Sequence, residues 1–127
     1  LRDMFGVAPA PATSEAAEKQ MEAAVKDYNE TVKAALRQEN VVCCDETGLR
    51  VGGKNFWAHV FCTDAHTHIS LSSKRGVEAI GAHLDGCSGT AVHDGWKSYR
   101  KFDCKHAVCN AHILRELQFL VEARNRF

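Results

Sequence analysis

The sequence lacks an excess of charge of either sign, and it lacks long hydrophobic runs. Its 16 Lys and Arg residues balance its 16 Asp and Glu residues, so the formal net charge is 0. A strongly basic composition, typical of an isolated nucleic-acid-binding domain, is therefore absent. No apolar run approaches the roughly 18 residues that a membrane span needs, and no signal-peptide core opens the chain. We therefore expect no membrane partner, and any contact with nucleic acid must depend on a local patch.

Cysteine is too infrequent for a disulfide-stabilised scaffold. The chain has 6 cysteines among 127 residues, below the roughly 8–10% that marks such scaffolds. Cys43, Cys44 and Cys62 lie in apolar runs, where a free thiol behaves as a small hydrophobic side chain. Together with the missing secretion signal, this composition predicts free thiols, a reducing compartment and a cytoplasmic location.

The length of the chain and the position of its prolines predict one globular domain preceded by a helix. Both of its 2 prolines lie within residues 1–13, which we expect to form an irregular lead-in. A helix is predicted over residues 14–40, with Ser14 as its N-cap. Its apolar residues recur at spacings of three and four, which indicates one helical face. That face consists of Met21, Val25, Tyr28, Val32 and Ala35.

From residue 41 onward the pattern changes to short β-branched and aromatic runs separated by glycine turns, among them Gly48 and Gly52-Gly53. Short connections make the first three strands an antiparallel meander, and a helical crossover then leads to a strand parallel to the first. The predicted fold class is α/β, a mixed sheet with flanking helices, and the order matches the ribonuclease H-like fold. The final helix carries a core-facing stripe of Ile113, Leu117, Leu120 and Val121. Predicted strands cover 41–44, 56–63, 67–73, 90–93 and 106–108, with helices over 77–84 and from Asn110 onward.

Two aspartates each follow a short apolar strand, Asp45 after residues 41–44 and Asp94 after residues 90–93. If those strands are parallel neighbours, their C-terminal ends lie side by side, about 5 Å apart, which brings the two carboxylates close together. Two close carboxylates repel each other unless they share a proton or bind a cation. Mg²⁺ or Mn²⁺ held there would suit phosphoryl transfer by a two-metal mechanism. The alternative is that each aspartate caps a turn beside Gly48 or Gly95.

Four blocks of residues closely resemble bacterial transposases of the insertion sequence 66 family, over roughly residues 40–122. The resemblance implies a DDE catalytic core of ribonuclease H-like fold that cuts and joins transposon-end DNA, with Asp45 and Asp94 as its first two acids. Residues 14–40 then link a DNA-binding region to the catalytic domain, of which 41–127 is a part. A homo-oligomer is implied for the full protein, with transposon ends and target DNA as partners. The blocks are Asp45-Glu46-Thr47-Gly48-Leu49-Arg50-Val51, Lys74-Arg75-Gly76, His93-Asp94-Gly95-Trp96-Lys97-Ser98-Tyr99 and Cys109-Asn110-Ala111-His112-Ile113-Leu114-Arg115-Glu116-Leu117.

The third acid of the family, a glutamate, lies downstream of the last block. We therefore expect a catalytic domain that is incomplete at its C-terminus, inactive alone and complemented by missing parts of a longer chain. Glu116 and Glu122 on the last helix are candidates for this third acid from their position in the predicted fold alone. The alternative is that both lie on a solvent-exposed helix face. Arg115 on the same helix either reaches the active site or forms a salt bridge.

Several residues near the two aspartates are candidates for DNA contact. Lys74, Arg75 and Lys97 would neutralise phosphates. Trp96 and Tyr99 would stack on an unpaired base near the cut. For the aromatic pair, packing within a short surface helix is the alternative.

A second cluster supports a rival function. Cys104, His106, Cys109 and His112 lie within nine positions and could converge on zinc if the end of the strand folds over. Zinc spacings are usually longer between the two halves of a site. The rival is therefore a non-catalytic, zinc-dependent DNA-binding or interaction module.

Overall fold

The computed structural model describes residues 6–124, and its first element is a long helix, α1 (Pro11–Gln38). The helix begins three residues before the predicted start, and the expectation that Ser14 caps it was wrong. The carbonyl of Ala10 instead accepts the N–H groups of Thr13 and Ser14, at 2.9 and 3.2 Å. Proline is favoured at the first helical position because its missing N–H would have no partner there. Pro11 therefore starts the helix that it was expected to prevent.

The chain divides into two compact units, residues 1–31 and residues 32–127. The first unit contains α1 as far as Thr31, where Met21 and Tyr28 are exposed to solvent. The second unit contains the end of α1, where Val32 and Leu36 are buried in a hydrophobic core. None of the helices in the described part of the chain is long and apolar enough to cross a membrane.

The second unit is built on a five-stranded mixed sheet, which confirms the predicted α/β class. The strand order is β3-β2-β1-β4-β5. The pairs β1–β2 and β2–β3 are antiparallel, whereas β1–β4 and β4–β5 are parallel. The strands are β1 (Val41–Val51), β2 (Lys54–Cys62), β3 (Thr67–Ser72), β4 (Thr90–His93) and β5 (Lys105–Val108).

Strand β1 is much longer than predicted. The glycine pattern predicted that it ends at Cys44, before a turn at Gly48, but the strand continues to Val51. Its register with β2 runs without a break from Cys43↔Cys62 to Val51↔Lys54. The turn lies at Gly52 and Gly53, which have φ angles of 55° and 77° and so occupy the left-handed region that glycine tolerates. Asp45 therefore lies within a strand and not after one.

Two helices and a short 3₁₀ turn complete the second unit. Helix α2 (Val77–Leu84) has the predicted bounds, the 3₁₀ turn covers Tyr99–Lys101, and α3 (Asn110–Arg124) follows β5 directly. The prediction that α3 carries a core-facing stripe was wrong, because no residue of α3 is buried. Leu117 and Leu120 are 54% and 61% exposed. Apolar spacing identifies a helix face, but it does not identify what covers that face.

The core lies on one face of the sheet. Side chains alternate between the two faces of a strand, so Val42 and Cys44 of β1 point to the same side and are both buried. Phe61 of β2, Ala91 of β4 and Ile80 of α2 are buried in the same cluster. Asp45, with the opposite parity in β1, consequently points to the other face.

Candidate active site

The parallel register aligns the two segments that lead to the predicted acids. Val41, Val42 and Cys43 pair with Thr90, Ala91 and Val92. Asp45 follows Cys43 by two residues within β1, and Asp94 follows Val92 by two residues, directly after β4 ends at His93. Asp45 has the parity of Cys43 and so belongs to the face opposite the core. That the two carboxylates lie close enough to share one cation stays a prediction.

Each aspartate has one oxygen held by the backbone. Asp94 Oδ1 accepts the N–H of Trp96 at 2.8 Å, which forms the turn that follows β4. Asp45 Oδ1 accepts the N–H of Glu46 at 2.9 Å. Asp94 thus does cap a turn beside Gly95, whereas Asp45 lies in mid-strand, away from any turn. A carboxylate has two oxygens that can each accept hydrogen bonds, so these bonds orient each group through one of its two oxygens.

Asp45 opens onto a cavity of about 190 Å³ between the sheet and the start of α3. Two of its lining residues, Cys109 and His112, come from the region where β5 ends and α3 begins. The pKa of the Cys109 thiol lies below its ordinary value, because the His112 side chain and the N–H groups of His112 and Ala111 stabilise the thiolate. The cavity is lined by Cys43, Cys44, Asp45, Val60, Cys62, Val92, Cys109 and His112.

Next to Asp45, on the core side of the sheet, lies a buried carboxylate that sequence reasoning did not single out. The Glu46 side chain is 1% exposed. Its Oε1 accepts two hydrogen bonds from Arg75, from Nε at 3.0 Å and from Nη2 at 2.9 Å. Its Oε2 accepts the hydroxyl proton of Tyr99. Strand alternation after Asp45 was the available signal, since it predicts that Glu46 is buried and therefore needs a cation.

Arg75 is held between two indole rings. Its guanidinium carbon lies 4.7 Å from the ring centroid of Trp57 and 4.3 Å from that of Trp96, which are cation–π distances. Trp57 in turn packs on Gly48, where a Cβ atom would lie 3.4 Å from the indole ring. Gly48 thus lies within a strand and not in a turn, and its lack of a side chain leaves room for the Trp57 ring. Trp57 was also absent from the residues that the sequence nominated.

The residues nominated for DNA contact have different environments. Tyr99 is 0% exposed, and burial together with its bond to Glu46 raises the pKa of its hydroxyl. Its ring therefore cannot stack on a base in this structure, which corrects the prediction for this residue. Arg75 is paired with Glu46, but its side chain remains 41% exposed. The Lys74 ammonium forms an exposed ion pair with Glu78.

The remaining nominated residues lie on the surface. Lys97 is exposed, and Trp96 is half-buried, with its ring edge-on to that of Tyr99. Arg115 and Glu116 are exposed on α3 and line a shallow groove with Phe119 and Leu120. Glu122, also on α3, accepts a hydrogen bond from Gln118.

The four residues proposed for zinc are divided between the two faces of the sheet. His106 pairs with Ala91 in the β4–β5 register and so faces the core, and Cys104 packs against that core. Cys109 and His112 line the cavity beside Asp45, on the opposite face. Within residues 6–124, no group of three or more His, Cys, Asp or Glu side chains is arranged to hold a metal ion. The structure therefore does not bring the four residues together.

Both ring nitrogens of His106 already have protein partners. Nε2 lies 3.2 Å from the carbonyl oxygen of Phe102 and must donate to it, so Nδ1 accepts from Nε2 of His93 at 3.3 Å. His93 Nδ1 then accepts the N–H of Gly95 at 3.0 Å. Burial lowers the pKa of His93, and the nearby His106 lowers it further. This chain of bonds fixes the orientation of both imidazole rings next to the turn that carries Asp94.

The geometry defines the class of this protein as an α/β domain with a five-stranded mixed sheet, in which one aspartate lies within β1 and the other directly follows the parallel strand β4. The family model described as "Transposase IS66 family" matches residues 1–126 of the chain. The chain therefore belongs to the IS66 transposase family, which confirms the resemblance of the four sequence blocks. None of the curated proteins compared with the chain matches it.

Proposed function

We propose that Asp45 and Asp94 bind Mg²⁺ or Mn²⁺ and carry out phosphoryl transfer on transposon DNA, as the first two acids of a DDE set. The observation that carries this proposal is the parallel β1–β4 register, which aligns Cys43 with Val92, two residues before Asp45 and Asp94 respectively. Membership of a transposase family supplies the substrate class, DNA. The strand order, with three antiparallel strands followed by two parallel ones, supports a ribonuclease H-like core.

The donor set fits a hard divalent cation. Carboxylate oxygens are the ligands that Mg²⁺ prefers, and one or two protein carboxylates are typical of its sites at phosphates. Backbone N–H groups donate to Oδ1 of Asp45 and to Oδ1 of Asp94, so both side chains are already oriented before a cation binds. The cations would supply activation of the attacking oxygen and stabilisation of the leaving oxygen. The protein residues would position the phosphodiester and exclude alternative geometries.

Manganese binding tests the proposal on the 127-residue chain. We expect electron paramagnetic resonance titration to show Mn²⁺ binding that Mg²⁺ displaces and that either Asp45→Asn or Asp94→Asn weakens by at least about tenfold. Asp103→Asn, which removes an exposed carboxylate from the loop before β5, is the matched control and should bind as the wild type does. Equal Mn²⁺ affinity in all four proteins would contradict the proposal. Zinc that survives purification and is lost on Cys109→Ser or His112→Ala would favour the rival zinc module.

We further propose that the 127-residue chain binds duplex DNA weakly and without sequence preference. The formal net charge of 0 offers few phosphate contacts, and few contacts release few counterions. Fluorescence anisotropy with a labelled duplex, measured across a range of salt concentrations, should therefore give a shallow slope of log affinity against log salt. Lys97→Gln should weaken binding to every sequence alike. Tight binding to one sequence that persists at high salt would contradict this expectation.

A further inference from the structure

We propose that Glu46 is a positioning residue for the Asp45–Asp94 pair, because its buried carboxylate joins strand β1 to the turn that follows β4. The inference rests on the proposed function, since it concerns how the two acids of that site are held. Glu46 itself has the opposite parity to Asp45 in β1, and its oxygens are bonded to Arg75 and Tyr99. It therefore acts through its neighbours and not as a ligand.

The connection runs from Glu46 to Asp94 by two routes. In the first, Glu46 Oε2 accepts the hydroxyl proton of Tyr99, and the N–H of Tyr99 is bonded to the carbonyl of Trp96 at 3.1 Å. In the second, Glu46 Oε1 holds Arg75, whose guanidinium stacks on the Trp96 ring. Both routes end at Trp96, whose N–H is bonded to Asp94 Oδ1. The backbone conformation after β4 is thus tied to the residue next to Asp45.

The charge of Glu46 matters because the carboxylate is buried. Its neighbours supply three hydrogen bonds, two of them from a cation. A glutamine of the same shape would retain one carbonyl oxygen but would present an NH₂ group either to Arg75 or to the Tyr99 hydroxyl. Facing Arg75, the NH₂ group would repel the cation, which would then be half-exposed without its partner. The turn at Trp96 would lose one of its two connections to Glu46, the one through Arg75. The positions of the two acids would then be less well fixed.

Tryptophan fluorescence can report on the conformation of this network. The chain has 2 tryptophans, Trp57 and Trp96, and both flank the Arg75 guanidinium. Their emission spectrum should therefore change when Glu46 or Arg75 is altered. It should also change when Mn²⁺ binds at Asp94, two residues before Trp96. Substitutions elsewhere in the core should leave the emission unchanged.

The test compares Mn²⁺ affinity in the wild-type chain with that in Glu46→Gln and Tyr99→Phe, using electron paramagnetic resonance, tryptophan emission and circular dichroism. We expect both variants to remain folded and to bind Mn²⁺ roughly 10–100-fold more weakly, as is typical for loss of a residue that orients a metal ligand. Glu78→Gln removes a carboxylate that pairs with Lys74 on the surface and is the charge-matched control. Ile80→Val lowers core stability while it removes none of the hydrogen bonds of the network, and it is the stability-matched control. Both controls should bind Mn²⁺ as the wild type does.

The outcomes separate this inference from the proposed function. Weaker Mn²⁺ binding in Glu46→Gln and Tyr99→Phe, with both controls unchanged, supports it. Equal binding in folded Glu46→Gln and Tyr99→Phe overturns the role of Glu46 and leaves the Asp45–Asp94 site intact. Weakening in Ile80→Val as well would show a general stability effect and also overturn it. If Glu46→Gln does not fold, Tyr99→Phe decides, because it keeps the ring and removes only the hydroxyl. Absence of Mn²⁺ binding in the wild type overturns both proposals.

Discussion

Gly89 lies where the backbone leaves no room for a side chain. A Cβ atom at this position would lie 2.7 Å from the carbonyl oxygen of Asn40 and closer still to that of Glu39. The surrounding backbone cannot move aside easily, because Thr90 N–H bonds to Asn40 and Lys105 N–H bonds to Gly89 itself. We expect Gly89→Ala to lower the free energy of unfolding by about 2–4 kcal/mol, as overpacking against backbone does.

The measurement is urea unfolding followed by circular dichroism. Gly76→Ala is the matched control, since a Cβ atom there meets nothing within 4 Å and the residue has an ordinary φ of −77°. Its free energy of unfolding should stay within about 0.5 kcal/mol of the wild type. Equal stability of Gly89→Ala and Gly76→Ala would show that the loop before β4 can rearrange.

Cys109 should be the most reactive of the thiols that solvent reaches. The His112 side chain and two N–H groups at the start of α3 lower its pKa, so a larger fraction is thiolate at neutral pH. Cys43 is exposed, but partial burial raises the pKa of its thiol. Alkylation by iodoacetamide, followed by peptide mass spectrometry, should label Cys109 before Cys43. His112→Ala should slow the labelling of Cys109 and shift its pH profile upward.

The thiol of Cys44 is an internal reference for that experiment. It is buried, and burial raises its pKa strongly, so it should react only after unfolding. Labelling of Cys43 ahead of Cys109 in the folded protein would contradict the assignment of Cys109 as the stabilised thiolate.

At the scale of elements, α2 should contribute much more to the free energy of unfolding than α3. Ile80 of α2 is fully buried in the core, whereas Leu117 and Leu120 of α3 are more than half exposed. Ile80→Ala should therefore cost about 2–5 kcal/mol of unfolding free energy, through lost transfer energy and a cavity. The double substitution Leu117→Gln and Leu120→Gln should change it by less than about 1 kcal/mol.

Urea titrations of the three proteins at one temperature provide the measurement. A loss from the α3 substitutions as large as that from Ile80→Ala would mean that the apolar face of α3 is covered in solution. Size-exclusion chromatography of the same proteins would then show whether a second copy covers it.

For the whole molecule, stability should fall as the pH drops from about 6.5 to about 4. Burial lowers the pKa of His83 from 6.5 to about 4, with smaller contributions from His68 and Lys33. In the unfolded chain His83 regains its ordinary pKa, so between these two values the unfolded state binds more protons than the folded state. Stability therefore rises with pH across this window and is fully present above the ordinary histidine pKa.

Urea midpoints measured at intervals between pH 4 and pH 7.5 check this prediction. His83 is stacked on Phe61 and bonded to Ser70, so His83→Gln should lower overall stability while flattening the acid-side slope. His93 retains part of the slope, because burial lowers its pKa as well. An unchanged slope in His83→Gln would contradict the assignment.

Local sequence patterns determined much of the fold and the candidate residues Asp45 and Asp94. Helix α2 and strand β4 have the predicted bounds, because glycines and a short-range apolar period mark both of their ends. The succession of three strands, a helical crossover and a fourth strand predicted the parallel pairing of β1 with β4. Handedness and short connections leave few other topologies, so this pairing followed from chain order.

Only the tertiary structure decided the surroundings of those aspartates. Glu46 meets Arg75 29 residues away and Tyr99 53 residues away, and no local period relates such positions. The same holds for the length of β1, which depends on pairing with β2, and for the exposed face of α3. Helices follow from interactions over three or four residues along the chain. Burial and charge pairing depend instead on which distant segment packs against a residue. Only the packing of the sheet determines which segment this is.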